Sequence, residues 1–472
     1  VVRDEAAGEL EAAYRRLSLW HDSVPGPLAP AASRAAPGGD LDVDVAIVGG
    51  GYTGLWTAYY LARLDPGVRI AVLEQEIAGF GASGRNGGWC SALFPVALER
   101  LARAAGRDTA VAFQRTLFDT VDEVGRVAAE EGIDAHWAKG GTVVTATSPA
   151  QVPRLRAWLD ERRAFGFGED DFRWLDPGEA AAQVRVAACH GAAWTPHCAS
   201  VHPARLARGL AEAAERRGVR IHERTRALAL ARHAVRTEAG TVRARVVVRA
   251  TEGWTPRLPG LRRVLLPIYS LVVATEPLPR AFWDEVGWSR RQTLGDGRHV
   301  IVYAQRSADD RVVFGGRGAP YHYGSRVEPG FDREPRVFAE LQRALVELFP
   351  AAREARVTHR WGGAIGAPRD WFSSVGFDPR SGLAWAGGYV GDGVAQANLA
   401  GRTLADLILG RDSGLLRMPW VGHRWRRWAP EPLRWLGVNG ASWLAASADR
   451  AEVRTGRPAR VRTALLGRVL GH

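Results

Sequence analysis

Gly49, Gly51 and Gly54 stand at the spacing G-x-G-x-x-G in the stretch Asp44-Val45-Ala46-Ile47-Val48-Gly49-Gly50-Gly51-Tyr52-Thr53-Gly54, and Glu74 follows at the end of Val72-Leu73. These residue types can hold a dinucleotide. Gly49 and Gly51 let the backbone turn and approach a pyrophosphate, Gly54 lets the next helix pack close to the strand before it, and Glu74 can take a pair of ribose hydroxyls. A glycine-rich turn with no ligand is the competing reading. The strand, the helix and the spaced acid around the glycines set it aside.

Those glycines need elements to position them. Residues 45–48 are an apolar run expected of a parallel strand buried on both faces. A helix over 53–64 aims its positive end at the phosphates, and 69–73 reads as the second strand. A second cluster, Gly79-Phe80-Gly81-Ala82-Ser83-Gly84-Arg85-Asn86-Gly87-Gly88, leaves backbone N–H groups free to meet an anion or a flat ring. A third, Gly387-Gly388-Tyr389-Val390-Gly391-Asp392-Gly393-Val394, precedes an apolar helix over 395–409 whose N-terminus would stabilise negative charge. Helices are expected over 100–131, 151–165, 203–218 and 335–349, and strands over 142–147, 219–223, 242–250 and 265–275, with 299–315 strand-rich.

Composition narrows the classes. The chain of 472 residues is too long for one simple core, so two domains are expected. No apolar run spans a bilayer, no secretory signal is visible, and the cytoplasm is the expected compartment. Cys90, Cys189 and Cys198 fit no disulfide framework or metal spacing, so no metal is expected. Of the net +12 charge, seven units fall after residue 419, where ten arginines meet three acids. The body is therefore only mildly basic, which argues against nucleic acid.

The three glycine clusters, in this order, resemble the D-amino-acid oxidase (glycine oxidase) family of FAD-dependent oxidoreductases, most of all its gamma-glutamylputrescine oxidase-type branch, over roughly residues 18–415. The resemblance implies FAD and an α/β fold: a discontinuous Rossmann-type domain with an interleaved α+β substrate domain built on a large mixed sheet. The FAD domain would take 41–98, 200–260 and 356–415, and the substrate domain 99–199 and 261–355. A lead-in would occupy 1–40, with a linker at 25–39, and a basic Trp-rich strap 416–472. On this resemblance Gly49, Gly51, Tyr52, Thr53, Gly54, Glu74 and Gln75 would hold the ADP half. Gly81, Ala82, Ser83, Arg85, Asn86, Gly87 and Gly88 would run beside the pyrophosphate and flavin. Ala227 would touch adenine through its backbone, and Thr251, Glu252, Gly253 and Trp254 would close over the cofactor. Gly391, Asp392, Gly393 and Val394 would meet the pyrimidine end of the ring.

Departures from the family pattern sharpen the reading. The family's carboxylate-binding Trp-x-Gly-x-Arg-Pro stretch reads Trp361-Gly362-Gly363-Ala364-Ile365-Gly366 here, without the Arg, and the sarcosine-oxidase Lys position reads Ala395. A buried carboxylate needs a charge partner, so an amine or a larger amino compound fits better than a simple α-amino acid, with Asp392 or a substrate-domain carboxylate near its ammonium group. Arg85 stands where histidine-linked members attach the flavin, and no Cys lies between 356 and 374, so noncovalent FAD is expected. Cys90 reads as a small buried hydrophobe.

Further candidates are Arg317 and Tyr321 at a sheet edge facing the flavin, and Lys139, the one lysine of the chain. A catalytic amine cannot be replaced by guanidinium. The tail, with Trp420, Trp425, Trp428, Trp435 and Trp443 among its arginines, reads as a strap with Trp inward and Arg outward. The expected activity, on this resemblance, is oxidation of the CH–NH bond of a gamma-glutamylputrescine- or polyamine-like or secondary amine to an imine, then an aldehyde, with dioxygen reduced to peroxide. The alternatives are an amino-acid oxidase anchoring its carboxylate by Arg317, and a dehydrogenase using another acceptor. A flavoprotein binding nucleic acid or membrane through its tail is the reading from a different class.

Overall fold

The structure, a computed structural model, describes residues 2–470 apart from 317 and 319. Two eight-stranded sheets form its frame. The first runs Ser374–Asp378, Leu383–Gly387, Thr241–Arg249, Leu41–Val48, Ile70–Leu73, Arg220–His222, with a hairpin of Ala227–Ala231 and Ala234–Thr237 on the long Thr241–Arg249 strand. Leu41–Val48 lies at its centre, parallel to Thr241–Arg249 on one side and Ile70–Leu73 on the other, with Val45 opposite Val246 and Ile70. Val45, Ala46 and Ile47 are fully buried, as the apolar run requires of a strand covered on both faces.

Helix Tyr52–Leu64 packs against helix Gly393–Leu409 with little space between them. A Cβ on Gly401 would lie 2.7 Å from the carbonyl carbon and Cβ of Trp56, so only glycine lets the backbones approach this far. Asn398 donates to the Tyr60 hydroxyl at 3.0 Å, and the Thr53 and Tyr389 hydroxyls are bonded at 2.9 Å. This seam brings the third glycine cluster beside the first, more than 300 residues away in sequence.

The second sheet orders Val357–Ala367, Leu266–Thr275, Val312–Gly316, Val302–Arg306, Thr293–Asp296, Thr142–Thr145, Ala192–Thr195 and Arg173–Leu175. It is mixed: Thr293–Asp296 pairs parallel with Thr142–Thr145, and the other pairs are antiparallel. Two parts of the domain partition are corrected. Val357–Ala367, within the segment grouped with the nucleotide domain, forms the edge strand of this second sheet. Helix Arg107–Glu130, grouped with the substrate domain, buries Phe113, Leu117 and Val121 in the core of the first sheet.

The lead-in is no free linker either. Tyr14, Leu19, Trp20 and Leu28 are buried with Ile77 and Trp361, and Arg34 pairs with Glu215 and Glu223 at 2.6 and 3.1 Å. The tail is a strap only in part. Trp420 is fully buried against Phe113, and Trp425 and Trp428 donate their indole N–H groups to the carbonyls of Phe372 and Ala367. In helix Leu433–Thr455 the pattern reverses: Trp443 is 66% exposed, while Arg434 is buried on Glu431. Among the described residues no helix is long and apolar enough to cross a membrane.

Candidate functional site

Strand Leu41–Val48 delivers its last residues to a cavity. Gly49 turns there at φ +111°, and a Cβ on it would collide with the carbonyl oxygen of Ala250. A Cβ on Gly51 would lie 2.8 Å from Ser83 Oγ, which itself accepts from the Tyr52 N–H at 2.8 Å. The second cluster therefore sits directly over the N-terminus of helix Tyr52–Leu64. Glu74 closes the floor. One carboxylate oxygen accepts from Gly50 N–H at 2.7 Å and the other from Glu76 N–H at 2.9 Å. Desolvation outweighs these bonds and pushes its carboxyl up to about 7.

A second acid holds the far end together. Glu252 accepts from the N–H groups of Gly388 and Tyr389 at 2.8 and 3.2 Å, and burial lifts its carboxyl to about 7 as well. These bonds secure a turn in which Gly388, Val390 and Gly391 all have positive φ. At 55° the β-branched Val390 is strained, and such strain persists only where the surroundings impose it. The turn leads into helix Gly393–Leu409, so the positive end of that helix faces the cavity.

A second cavity of about 400 Å³ adjoins the first, the two sharing Ala82, Asn86, Ile365 and Gly391. Of the residues singled out by sequence, Gly49, Gly51, Tyr52, Thr53, Glu74, Gln75 and Ala227 line the first cavity. Gly81, Ala82, Ser83, Asn86, Thr251, Glu252, Gly253, Trp254, Gly391, Gly393 and Val394 continue it. Arg85, Gly87 and Asp392 line the second. Gly54 and Gly88 line neither cavity. A Cβ on Gly54 would collide with Gly49 O, and one on Gly88 with the Gln305 amide, so both serve close packing. The first cavity thus runs from Gln75 and Ala227 past the glycine turn to Gly393, a row of donors and an acid that suits an extended dinucleotide.

The candidates for catalysis fare differently. Tyr321 is buried outside both cavities, where its hydroxyl bonds Ser325 and Glu431. The sheet edge that sequence set against the flavin is covered by the tail instead. Lys139 also lines neither cavity; it pairs at the surface with Asp122. Arg317 lies outside the described residues. Arg85, expected beside the pyrophosphate, turns its guanidinium to Asp332 at 2.9 Å and over the Phe80 ring. Cys90 is buried, which pushes its thiol up, and it lines neither cavity.

Sequence reasoning missed Tyr303 and Trp89, whose rings stand 6.1 Å apart on the second cavity. The Tyr303 ring fills the space that a side chain at Gly87 or Gly315 would need, and its hydroxyl bonds Ser270 Oγ at 2.8 Å. The signal was available only as alternation: Tyr303 and Gln305 share one face of strand Val302–Arg306, away from Val302 and Ala304 in the other core.

The sequence model of the family described as FAD dependent oxidoreductase (DAO) matches residues 44–407. A "Probable oxidoreductase OrdL" of Rhizobium meliloti is 30% identical over 395 residues, covering 80% of this chain and 85% of that protein. The "Gamma-glutamylputrescine oxidoreductase" of Escherichia coli is 28% identical over 383 residues, covering 78% of this chain and 84% of that one. Among solved structures, glycine oxidase from Geobacillus kaustophilus superposes with a TM-score of 0.67 at 24% identity, covering 81% of this chain and 99% of that one.

Proposed function

The chain belongs to the DAO family of FAD dependent oxidoreductases, and on that premise we propose that it oxidises the CH–NH bond of an amine to an imine, with dioxygen as the final acceptor. FAD, held noncovalently, would supply the acceptor for the hydride that leaves the carbon beside nitrogen. The imine takes up water and splits into an aldehyde and the departing amine. The two electrons and two protons removed from the substrate reduce dioxygen to hydrogen peroxide.

The chain's own residues bind and orient. Glu74 would accept the ribose hydroxyls, the turn at Gly49 and the start of helix Tyr52–Leu64 would meet the pyrophosphate, and helix Gly393–Leu409 would direct its positive end toward the ring. Asp392, on the second cavity, would meet the substrate nitrogen. Ile365 and Tyr303 would exclude water from the reacting carbon.

One observation carries the preference for an amine over an amino acid. The cationic side chains along the second cavity are matched within the protein, Arg85 by Asp332 at 2.9 Å, Arg154 by Glu452 at 2.7 Å and Arg298 by Asp296 at 2.7 Å. A substrate carboxylate would have to displace one of these partners. Two relatives are named for such chemistry, gamma-glutamylputrescine oxidoreductase on the amine side and glycine oxidase on the amino-acid side. The test is anaerobic bleaching of the bound flavin by amines and amino acids, followed by air. Bleaching by amines with peroxide on reoxidation supports the reading. Bleaching by amino acids alone overturns it, and reoxidation without peroxide overturns the choice of acceptor.

A further inference from the structure

We infer that the second cavity selects an amine with a bulky, uncharged body, aromatic or branched aliphatic, whose reacting nitrogen is its one ionisable group. The inference rests on the amine reading above and narrows it.

Size is the first reason. At about 400 Å³ the cavity lies in the range of pockets for drug-sized ligands, of order 300–1,000 Å³, and is larger than a glycine-sized amine needs. A small substrate would leave apolar walls wet and would be held by few contacts.

The wall is the second reason. Helix Val152–Ala164 turns Leu155 and Trp158 toward the cavity, one helical turn apart. Trp158 meets Phe172 edge to face at 5.3 Å, and Phe172 lies 5.7 Å from Phe118, so three rings brace one another. Trp89 and Tyr303 continue this surface toward the cofactor end. Rings locked by their neighbours lose little freedom when a flat apolar group is laid on them, and each such group adds its burial.

The third reason is charge. His197 is stacked on Phe118 at 3.5 Å and bonded to Asp171 at 2.8 Å, and burial lowers its pKa. Asp296 and Arg298 both line the cavity and are paired with each other at 2.7 Å. A second ammonium or a carboxylate on the substrate would have to compete with these existing pairs. A polyamine or a gamma-glutamyl amine carries such groups; an arylalkyl amine does not.

The experiment uses the FAD-loaded enzyme and four amines: N-methyl-(2-naphthyl)methylamine, sarcosine, spermidine and gamma-glutamylputrescine. The expected result is anaerobic flavin reduction with an apparent KM for the naphthyl amine about tenfold or more below the other three, as burying an extra ring predicts. Trp158→Ala should raise that KM by about tenfold while kcat moves less than about threefold, and Trp158→Phe should restore most of it. Lower KM for sarcosine, spermidine or gamma-glutamylputrescine overturns this inference and leaves amine oxidation standing. If no amine reduces the flavin, amine oxidation is what fails. The cavity is then read directly with unreactive 2-methylnaphthalene: a saturable change in the bound-flavin spectrum that Trp158→Ala weakens supports the apolar site, and no change overturns it.

Discussion

Arg154 Nη2 lies 2.7 and 2.9 Å from the two carboxylate oxygens of Glu452, a residue 298 positions later. Arg154 lies in the first turn of the helix that walls the second cavity, and Glu452 sits in the tail helix Leu433–Thr455. The tail thereby holds the cavity wall in place. His299 joins the pair, its Nε2 being 2.6 Å from Arg154 and 3.1 Å from Glu452, and Asp449 accepts the N–H groups of His299 and Val300. The ligating atoms of His299, Asp449 and Glu452 are close enough for a metal, but the Arg154 guanidinium already supplies the positive charge there.

Removing that carboxylate should loosen the tail first. Glu452→Ala leaves Arg154 without its buried partner and is expected to cost about 1–3 kcal/mol, less than a fully buried pair because Arg154 reaches solvent. Denaturant unfolding reads the loss, and limited proteolysis should show earlier cleavage within 433–470. Glu452→Gln should fall between the two. Identical digestion of wild type and Glu452→Ala would refute the link.

Glu74 and Glu252 should make the FAD-free protein less stable as pH rises. Each carboxyl is pushed from 4.5 up to about 7, so between those values the folded state holds protons that the unfolded state has released. Stability is then greatest below about 4.5 and declines through the window to about 7, above which the effect is complete. Thermal unfolding of the FAD-free form across this range checks the slope, and Glu74→Gln should flatten it.

FAD affinity should follow the opposite trend. Ribose hydroxyls donate to an ionised Glu74, so binding should strengthen as pH rises through about 7. Glu74→Gln should weaken FAD by about tenfold and remove most of that pH dependence. Equilibrium titration of the FAD-free protein measures both. An unchanged slope in the variant would place the ribose elsewhere.

Lys139→Met should leave flavin reduction and reoxidation within about twofold of wild type, because an exposed pair with Asp122 is worth only about 0–1 kcal/mol and touches neither cavity. A tenfold or larger loss in the reoxidation rate would restore the catalytic role that its singularity in sequence suggested.

Tyr303 should matter through its ring more than its hydroxyl. Tyr303→Phe loses one bond to Ser270, about 1 kcal/mol, whereas Tyr303→Ala opens a void against Gly87 and Gly315 and should cost about 3–5 kcal/mol of stability. Stopped-flow flavin reduction should slow by about fivefold or less in the first variant and by more in the second. Equal rates in both would show that the ring does not support Gly87.

The local physics of a turn is written in few residues, and there the sequence was a sufficient guide. A strand buried on both faces, glycines where a Cβ would strike Gly49 O or Ser83 Oγ, and an acid at the next strand end all follow from neighbours within about thirty positions. The helix boundaries near Val152–Ala164, Pro335–Leu348 and Gly393–Leu409 were legible from apolar spacing for the same reason. What tertiary structure alone decided was which distant partner each charged or aromatic group would meet. Arg85 finds Asp332, Tyr321 finds Glu431, Arg154 finds Glu452, and Tyr303 fills the space left by Gly87. Such pairings depend on how two sheets and a tail come together in space, and residue type and spacing carry no term for that.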